Sequence, residues 1–179
     1  FLYPRTKAVQ TGLNGEFIVS PRLDDLQCVF GCLEGFLAAK PSGSLPVLAV
    51  FNNEEVGSNT RQGADSTFLT DVLERIAHGC GLDSEGWKAA VANSFMVSAD
   101  NAHAIHPAHP EYADKGEFPV LGGGIVIKYN ANQRYTTDAV SGAVFQAICQ
   151  EAGVPVQRYS NRADLPGGST LGNISTAHL

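Results

Sequence analysis

Five acidic residues stand where an α/β chain could use them for chemistry. Asp24 and Asp25 follow the short β-rich run 16–20 (EFIVS), Glu54 and Glu55 follow the apolar run 45–51 (LPVLAVF), and Asp100 follows 94–98 (SFMVS). In an open α/β sheet, functional groups collect beyond the carboxyl ends of the strands. Three parallel neighbours with these exits would bring their carboxylates to one edge. Clustered carboxylates repel, so they need a cation, a shared proton or a basic partner. A divalent metal is the simplest cation. The Glu54-Glu55 pair invites a division of labour, one carboxylate holding metal while its neighbour takes a proton from water. An arbitrary Glu-Glu pair is a solvated turn. The place of this one, directly after an apolar strand, sets it apart.

Other motifs are less specific. His103, His106 and His109 are spaced by three, which could set two rings on one helical face as zinc ligands. Pro107 and Pro110 oppose a continuous helix there, so an irregular loop competes with a metal site. Gly122-Gly123-Gly124 is not followed by Gly-Lys-Ser/Thr, and no GxGxxG is present, which excludes the common phosphate cradles. No GxSxG offers a serine-hydrolase elbow. Gly167-Gly168-Ser169-Thr170 would either turn backbone N–H groups toward a substrate or form a plain turn. Cys28, Cys32, Cys80 and Cys149 contain no Cys-x-x-Cys pair, so a four-cysteine zinc site is not expected. Nothing demands an oxidising compartment, and a cytoplasmic location is the default expectation.

The elements that must position these residues alternate. A strand is expected over 16–20. A helix follows from Asp24 to about Lys40, with Leu26, Val29, Phe30, Leu33, Phe36 and Leu37 inward at three-four spacing and Asp24/Asp25 at its N-terminus. A strand covered on both faces is expected over 45–51, then a helix over 63–78, a short helix over 84–93 and a strand over 94–98. A long His- and Pro-containing segment leads to a strand over 124–129. A helix over 137–152, with Val140, Val144, Phe145 and Ile148 inward, and a strand over 154–159 complete the pattern. Strand–helix alternation predicts a layered α/β domain with a largely parallel or mixed sheet.

Composition agrees with a globular enzyme-sized unit. The 179 residues suit one domain, and 44% hydrophobic with 17% charged residues excludes wholesale disorder. A net charge of −6 argues against nucleic acid or an anionic membrane as partner. No apolar run reaches the ~18 residues of a membrane span. The chain opens Phe1-Leu2-Tyr3-Pro4-Arg5, without Met, and a piece of a longer protein is expected.

Taken together, the motifs resemble the aspartyl aminopeptidase family of dinuclear zinc exopeptidases. The resemblance is carried by 20–26 (SPRLDDL), 53–58 (NEEVGS), 98–107 (SADNAHAIHP), 126–130 (VIKYN) with 133–135 (QRY), and 168–172 (GSTLG). The five motifs stand in the family's order over nearly the whole chain. The resemblance implies an α/β/α sandwich of the zinc-exopeptidase kind, a peptide substrate, two zinc ions per complete active site and a homo-oligomeric assembly. It implies that Asp24 bridges the two metals, that Glu55 and Asp100 each ligate one of them, and that Glu54 is the general base. His103, Lys128 and Tyr135 match positions lining the substrate pocket, and Lys128 suits an acidic N-terminal side chain. Asp25, beside the bridging position, is expected to support the site or to act as a helix-terminal charge.

The family also draws one histidine ligand from a segment before an inserted second domain and another from beyond the glycine-rich loop. Residues 1–179 are therefore expected to form a single segment of the catalytic domain, with the inserted domain and both flanking catalytic segments outside it. Gly167 stands where many relatives carry cysteine. The expected activity is a metal-dependent aminopeptidase removing an N-terminal acidic residue. The alternatives are an amide hydrolase of the same fold acting on a non-peptide substrate, and a non-catalytic scaffold subunit.

Overall fold

The computed structural model describes residues 2–40, 43–160, 162 and 164. The glycine-rich motif 167–172 lies outside the described residues. Two compact units emerge, one of Phe1–Val50 with Ala99–Asn101, the other of Phe51–Ser98 with Ala102–Leu179.

In the first unit, β1 (Val9–Thr11) pairs antiparallel with β2 (Phe17–Val19), Val9 opposite Val19 and Thr11 opposite Phe17. The turn uses Gly12 and Gly15 at positive φ, and Glu16 accepts the Asn14 N–H at 2.9 Å. β2 falls inside the expected strand; β1 was not anticipated, although Thr-Gly-Leu-Asn-Gly is a turn signal. Helix α1 spans Leu23–Ala38 and is preceded by Arg22 at φ 63°. Most of its expected inward stripe is exposed instead, Leu26, Phe30, Leu33, Phe36 and Leu37 among them. One helix and one short hairpin supply no second layer to cover such a stripe.

The second unit is built around a βαβ motif. Strands β3 (Ile125–Tyr129) and β4 (Val156–Ser160) pair in parallel, Ile125 opposite Val156 and Lys128 opposite Tyr159. Helix α4 (Ala139–Glu151) connects them and starts with a capping box in which Asp138 and Ser141 satisfy each other's backbone N–H groups. The buried apolar side chains include Ile127, Cys149 and Tyr159. The face of α4 turned inward is Gly142, Phe145 and Cys149. Val140, Val144 and Ile148, expected inward, are exposed, Val140 at 71%. Gly142 is the point of close approach to β3: a Cβ there would sit 2.3 Å from the Tyr129 hydroxyl oxygen, so a larger residue would require the Tyr129 side chain to shift.

Helices α2 (Phe68–Gly79) and α3 (Ser84–Ala92) precede this motif. α2 begins five residues later than the period predicts because Gly63 to Thr67 turn back on Ser58, as described below. The Asp83 carboxylate caps α3 by accepting the Gly86 N–H at 2.8 Å. The runs 45–51 and 94–98 are not strands in this structure. A strand needs hydrogen-bonded neighbours, and β3 and β4 pair with each other.

Gly123 and Gly124 pack closely against Gln157 and Pro155. Gln157 accepts the Val120 N–H at 2.9 Å and donates to the Val120 carbonyl at 3.1 Å. A Cβ on Gly123 would fall 2.5 Å from that amide, and Gly124 sits at φ 104° with its Cβ position 2.1 Å from the Pro155 carbonyl oxygen. No helix among the described residues is long and apolar enough to cross a membrane.

Candidate active site

In the first unit, Asp24, Asp25 and Asp100 come together, each offering a carboxylate oxygen within 4.8 Å of the others. Asp24 and Asp100 are the expected pair. Asp25 joins them because neither Asp24 (φ −85°, ψ 111°) nor Asp25 (φ −119°, ψ 25°) has helical dihedrals, so adjacent side chains are not spread around a helix. The Asp24–Asp25 peptide bond is cis. The Asp25 Oδ1 atom is buried without a hydrogen-bond partner among the described residues. An orphaned carboxylate oxygen beside two further carboxylates fits a cation. Asp24, Asp25 and Asp100 would hold such an ion, which would supply the charge that offsets three neighbouring carboxylates.

Cys28, one turn further along α1, donates its thiol to the Asn101 side-chain oxygen at 3.3 Å, and the Asn101 amide donates to the Leu23 carbonyl at 2.9 Å. Burial pushes the Cys28 thiol up to about 12, and the neighbouring Asp25 adds to the shift. The group is therefore a neutral donor at physiological pH.

Glu54 and Glu55 belong to the second unit and open the 3₁₀ turn Glu54–Val56. Their loop is held from several sides. Asn53 sits at φ 61°, a conformation asparagine tolerates, and donates from its amide to the Thr60 hydroxyl at 2.9 Å. The Ser58 N–H reaches the Asn53 carbonyl at 3.0 Å, and the Asn52 N–H reaches the Gln62 carbonyl at 2.9 Å. Ser58 is buried, and Gly63 lies so close that a Cβ there would be 1.9 Å from the Ser58 carbonyl oxygen. The Glu-Glu turn is thus a constructed loop rather than a loose one.

His103, Lys128 and Tyr135 gather around Tyr159 in the second unit. The His103 ring meets Tyr159 edge-on with centroids 5.2 Å apart, and Tyr135 lies 6.5 Å from Tyr159. The Lys128 ammonium stands 5.7 Å over the Tyr135 ring, within cation–π range. Tyr159 is 7% exposed. Burial, then the adjacent Tyr135, raises its phenol above the ordinary value. Sequence reasoning missed Tyr159, which reads as a core strand residue. Its signal is the ladder position opposite Lys128.

The loop carrying Tyr135 is shaped by Asn130, whose side-chain oxygen accepts the Asn132 N–H at 2.9 Å. Beyond the carboxyl ends of β3 and β4 lies an open cavity of about 270 Å³ lined by Tyr129, Asn130, Gln133, Thr137 and Ser160 with Ala131. That is the edge at which open α/β sheets bind ligands.

Among the described residues, the histidines of the 103–109 loop do not gather into a cluster of three ligands. His106 Nδ1 accepts the Ala108 N–H at 3.2 Å, and His109 Nδ1 lies 3.0 Å from Glu111. A 3₁₀ turn at Pro110–Tyr112 follows. These rings order their own loop.

Comparison with known proteins places the whole chain in one family. The family model described as "Aminopeptidase I zinc metalloprotease (M18)" matches residues 1–179. A probable M18 family aminopeptidase 2 of Clostridium acetobutylicum is 49% identical over 178 residues, covering 99% of this chain and 41% of that protein. The crystal structure of an M18 aminopeptidase from Thermotoga maritima superposes with a TM-score of 0.82 at 28% identity, over 94% of this chain and 39% of that one. A dodecamer of S. cerevisiae mApe1 does so with 0.76 at 29% identity, over 95% and 39%. The chain thus spans about two-fifths of the length of the relatives it matches. With a family model that covers every residue, this chain belongs to the M18 family of aminopeptidase I zinc metalloproteases.

Proposed function

We propose that this chain is a catalytic-domain segment of a metallo-aminopeptidase that removes an N-terminal Asp or Glu from peptides. The observation that carries the reading is the Asp24–Asp25–Asp100 carboxylate group, at two of the positions where the resemblance to aspartyl aminopeptidases places metal ligands. On the resemblance, Asp24, Asp100 and Glu55 would hold the zinc, and histidines from outside residues 1–179 would complete the set. Zinc, when bound, supplies a lowered water pKa and polarisation of the scissile carbonyl. Glu54 accepts the proton of the attacking water and returns it to the leaving amine. Lys128, held over Tyr135, pairs with the acidic side chain of the N-terminal residue. His103 lines the same pocket, leaning on Tyr159.

The β3–β4 pair with α4 is read as one part of the wider sheet of an α/β/α sandwich. The four cysteines are free thiols, which fits a cytoplasmic enzyme. The dodecamer of mApe1 supports a homo-oligomer here as well.

The test uses the full-length enzyme carrying this segment and a panel of peptides beginning with Asp, Glu, Ala or Leu. Cleavage of the Asp and Glu peptides first, lost on chelation and restored by zinc, is the expected result. No release of any N-terminal residue by the zinc-loaded protein overturns the reading. Preference for Ala or Leu removes the acidic specificity alone.

A further inference from the structure

We propose that Asn101 is a positioning residue for the metal centre, stapling the segment that carries Asp100 to the segment that carries Asp24. The proposal rests on the reading of Asp24 and Asp100 as metal ligands.

Asn101 directly follows Asp100, and Leu23 directly precedes Asp24. The Asn101 Nδ2 group donates to the Leu23 carbonyl at 2.9 Å across 78 positions of sequence. Its Oδ1 atom accepts the Cys28 thiol at 3.3 Å across 73 positions. Both contacts are partly buried. Residues Ala99–Asn101 are the part of the chain beyond Val50 that joins the first unit, and these bonds tie them to α1.

The side-chain type matters. A primary amide carries a donor and an acceptor on the same rigid plane, so it can hold a backbone carbonyl and a thiol at once. A carboxylate there would lose the donor and add a fourth negative charge to Asp24, Asp25 and Asp100. An apolar side chain would make neither bond. The amide fixes two backbones, each one residue from a carboxylate, so the ligand separation is set before a cation arrives. Outer partners that orient ligands contribute about 10–100-fold to metal affinity.

The experiment measures zinc affinity of the full-length enzyme by competition with a chelator, in wild type, Asn101→Leu, Asn101→Ser, Cys28→Ser and Asp100→Asn. Asn101→Leu and Asn101→Ser are expected to bind zinc about 10–100-fold more weakly, with the metal-free thermal midpoint little changed. Cys28→Ser keeps a hydroxyl donor to Asn101 and is expected to bind as wild type does. Where Asn101→Leu does not fold, the smaller, polar Asn101→Ser decides. Wild-type zinc affinity in folded Asn101 variants, alongside loss in Asp100→Asn, overturns the positioning role and leaves the metal reading intact. Unchanged affinity in Asp100→Asn overturns the metal reading, and this proposal with it.

Discussion

Gly63→Ala is a substitution far from the chemistry by type and close to it by construction. Gly63 has no side chain, yet it closes the loop that presents Glu54 and Glu55. An added Cβ would lie 1.9 Å from the Ser58 carbonyl oxygen, 2.5 Å from its carbon and 2.9 Å from Ser58 Cα. All three are backbone atoms, so no rotamer change relieves the clash. Since Cβ contacts below 3.0 Å are essentially never seen, one strand of the loop must retreat by about 1 Å. Ser58 cannot move alone. Its N–H is bonded to Asn53, the residue before Glu54, at 3.0 Å, and its carbonyl accepts the Asp65 N–H at 3.3 Å. Overpacking of this kind costs about 1–3 kcal/mol, and the loss of one backbone bond adds about 1 kcal/mol. A displacement of about 1 Å at a catalytic group costs about 10²-fold in rate. In the full-length enzyme, kcat for an Asp-peptide is therefore expected to fall by about 10²-fold, with a lowered thermal midpoint. Gly79→Ala, where nothing lies within 4 Å of the new Cβ, is the control and should stay near wild type. Wild-type kcat and midpoint in Gly63→Ala would refute the argument that this loop is held rigid for Glu54.

Other consequences follow from the same geometry. Lys128→Ala should lower kcat/KM for Asp- and Glu-peptides by about 10–100-fold, the worth of a charged hydrogen bond, while Ala-peptides change little; equal losses on both would remove Lys128 from specificity. Asp138 has its carboxyl pKa lowered, chiefly by the Ser141 hydroxyl and then by the Ser141 N–H. A depressed pKa gives stability that is complete above the ordinary aspartate value of 3.8 and is lost as pH falls through the lower folded value. The gap in thermal midpoint between wild type and Asp138→Ala should thus be full at neutral pH and close in acid; a pH-independent gap contradicts the capping account. On the proposed ligand set, which takes its histidines from outside residues 1–179, calorimetry on this segment by itself should show weak zinc binding. Tight, stoichiometric binding would contradict the need for ligands from elsewhere.

The sequence was most readable where a local rule acts alone. Helices α3 and α4 fall within their expected spans, and α2 (Phe68–Gly79) overlaps its own with a late start, because apolar spacing and capping residues such as Asp83 and Asp138 are local. It was least readable where partners decide. The run 45–51 has the composition of a covered strand but makes no ladder here, because composition does not supply a neighbour. The inward face of α4 includes Gly142, which lies against Tyr129 and is invisible to a count of apolar residues. Asp24 and Asp100 were legible as strand-exit acids, and the structure brings them together. Asp25 is expected to support the site or to act as a helix-terminal charge, and the non-helical dihedrals of Asp24 and Asp25 set its carboxylate beside those of Asp24 and Asp100. Asn101 stands inside the 98–107 motif and Tyr159 in a strand run, but the contacts of each depend on residues 78 positions away in one case and across a ladder in the other.

The central claim is that two adjacent glutamates do different work, Glu54 as base and Glu55 as ligand. The measurement is zinc content and kcat, side by side, for Glu54→Gln and Glu55→Gln in the full-length enzyme. Glutamine keeps the size and hydrogen-bonding capacity but removes the base. The account predicts that Glu54→Gln retains its zinc while kcat falls by about 10²–10⁴-fold, and that Glu55→Gln loses zinc. A Glu54→Gln enzyme with full activity would contradict it.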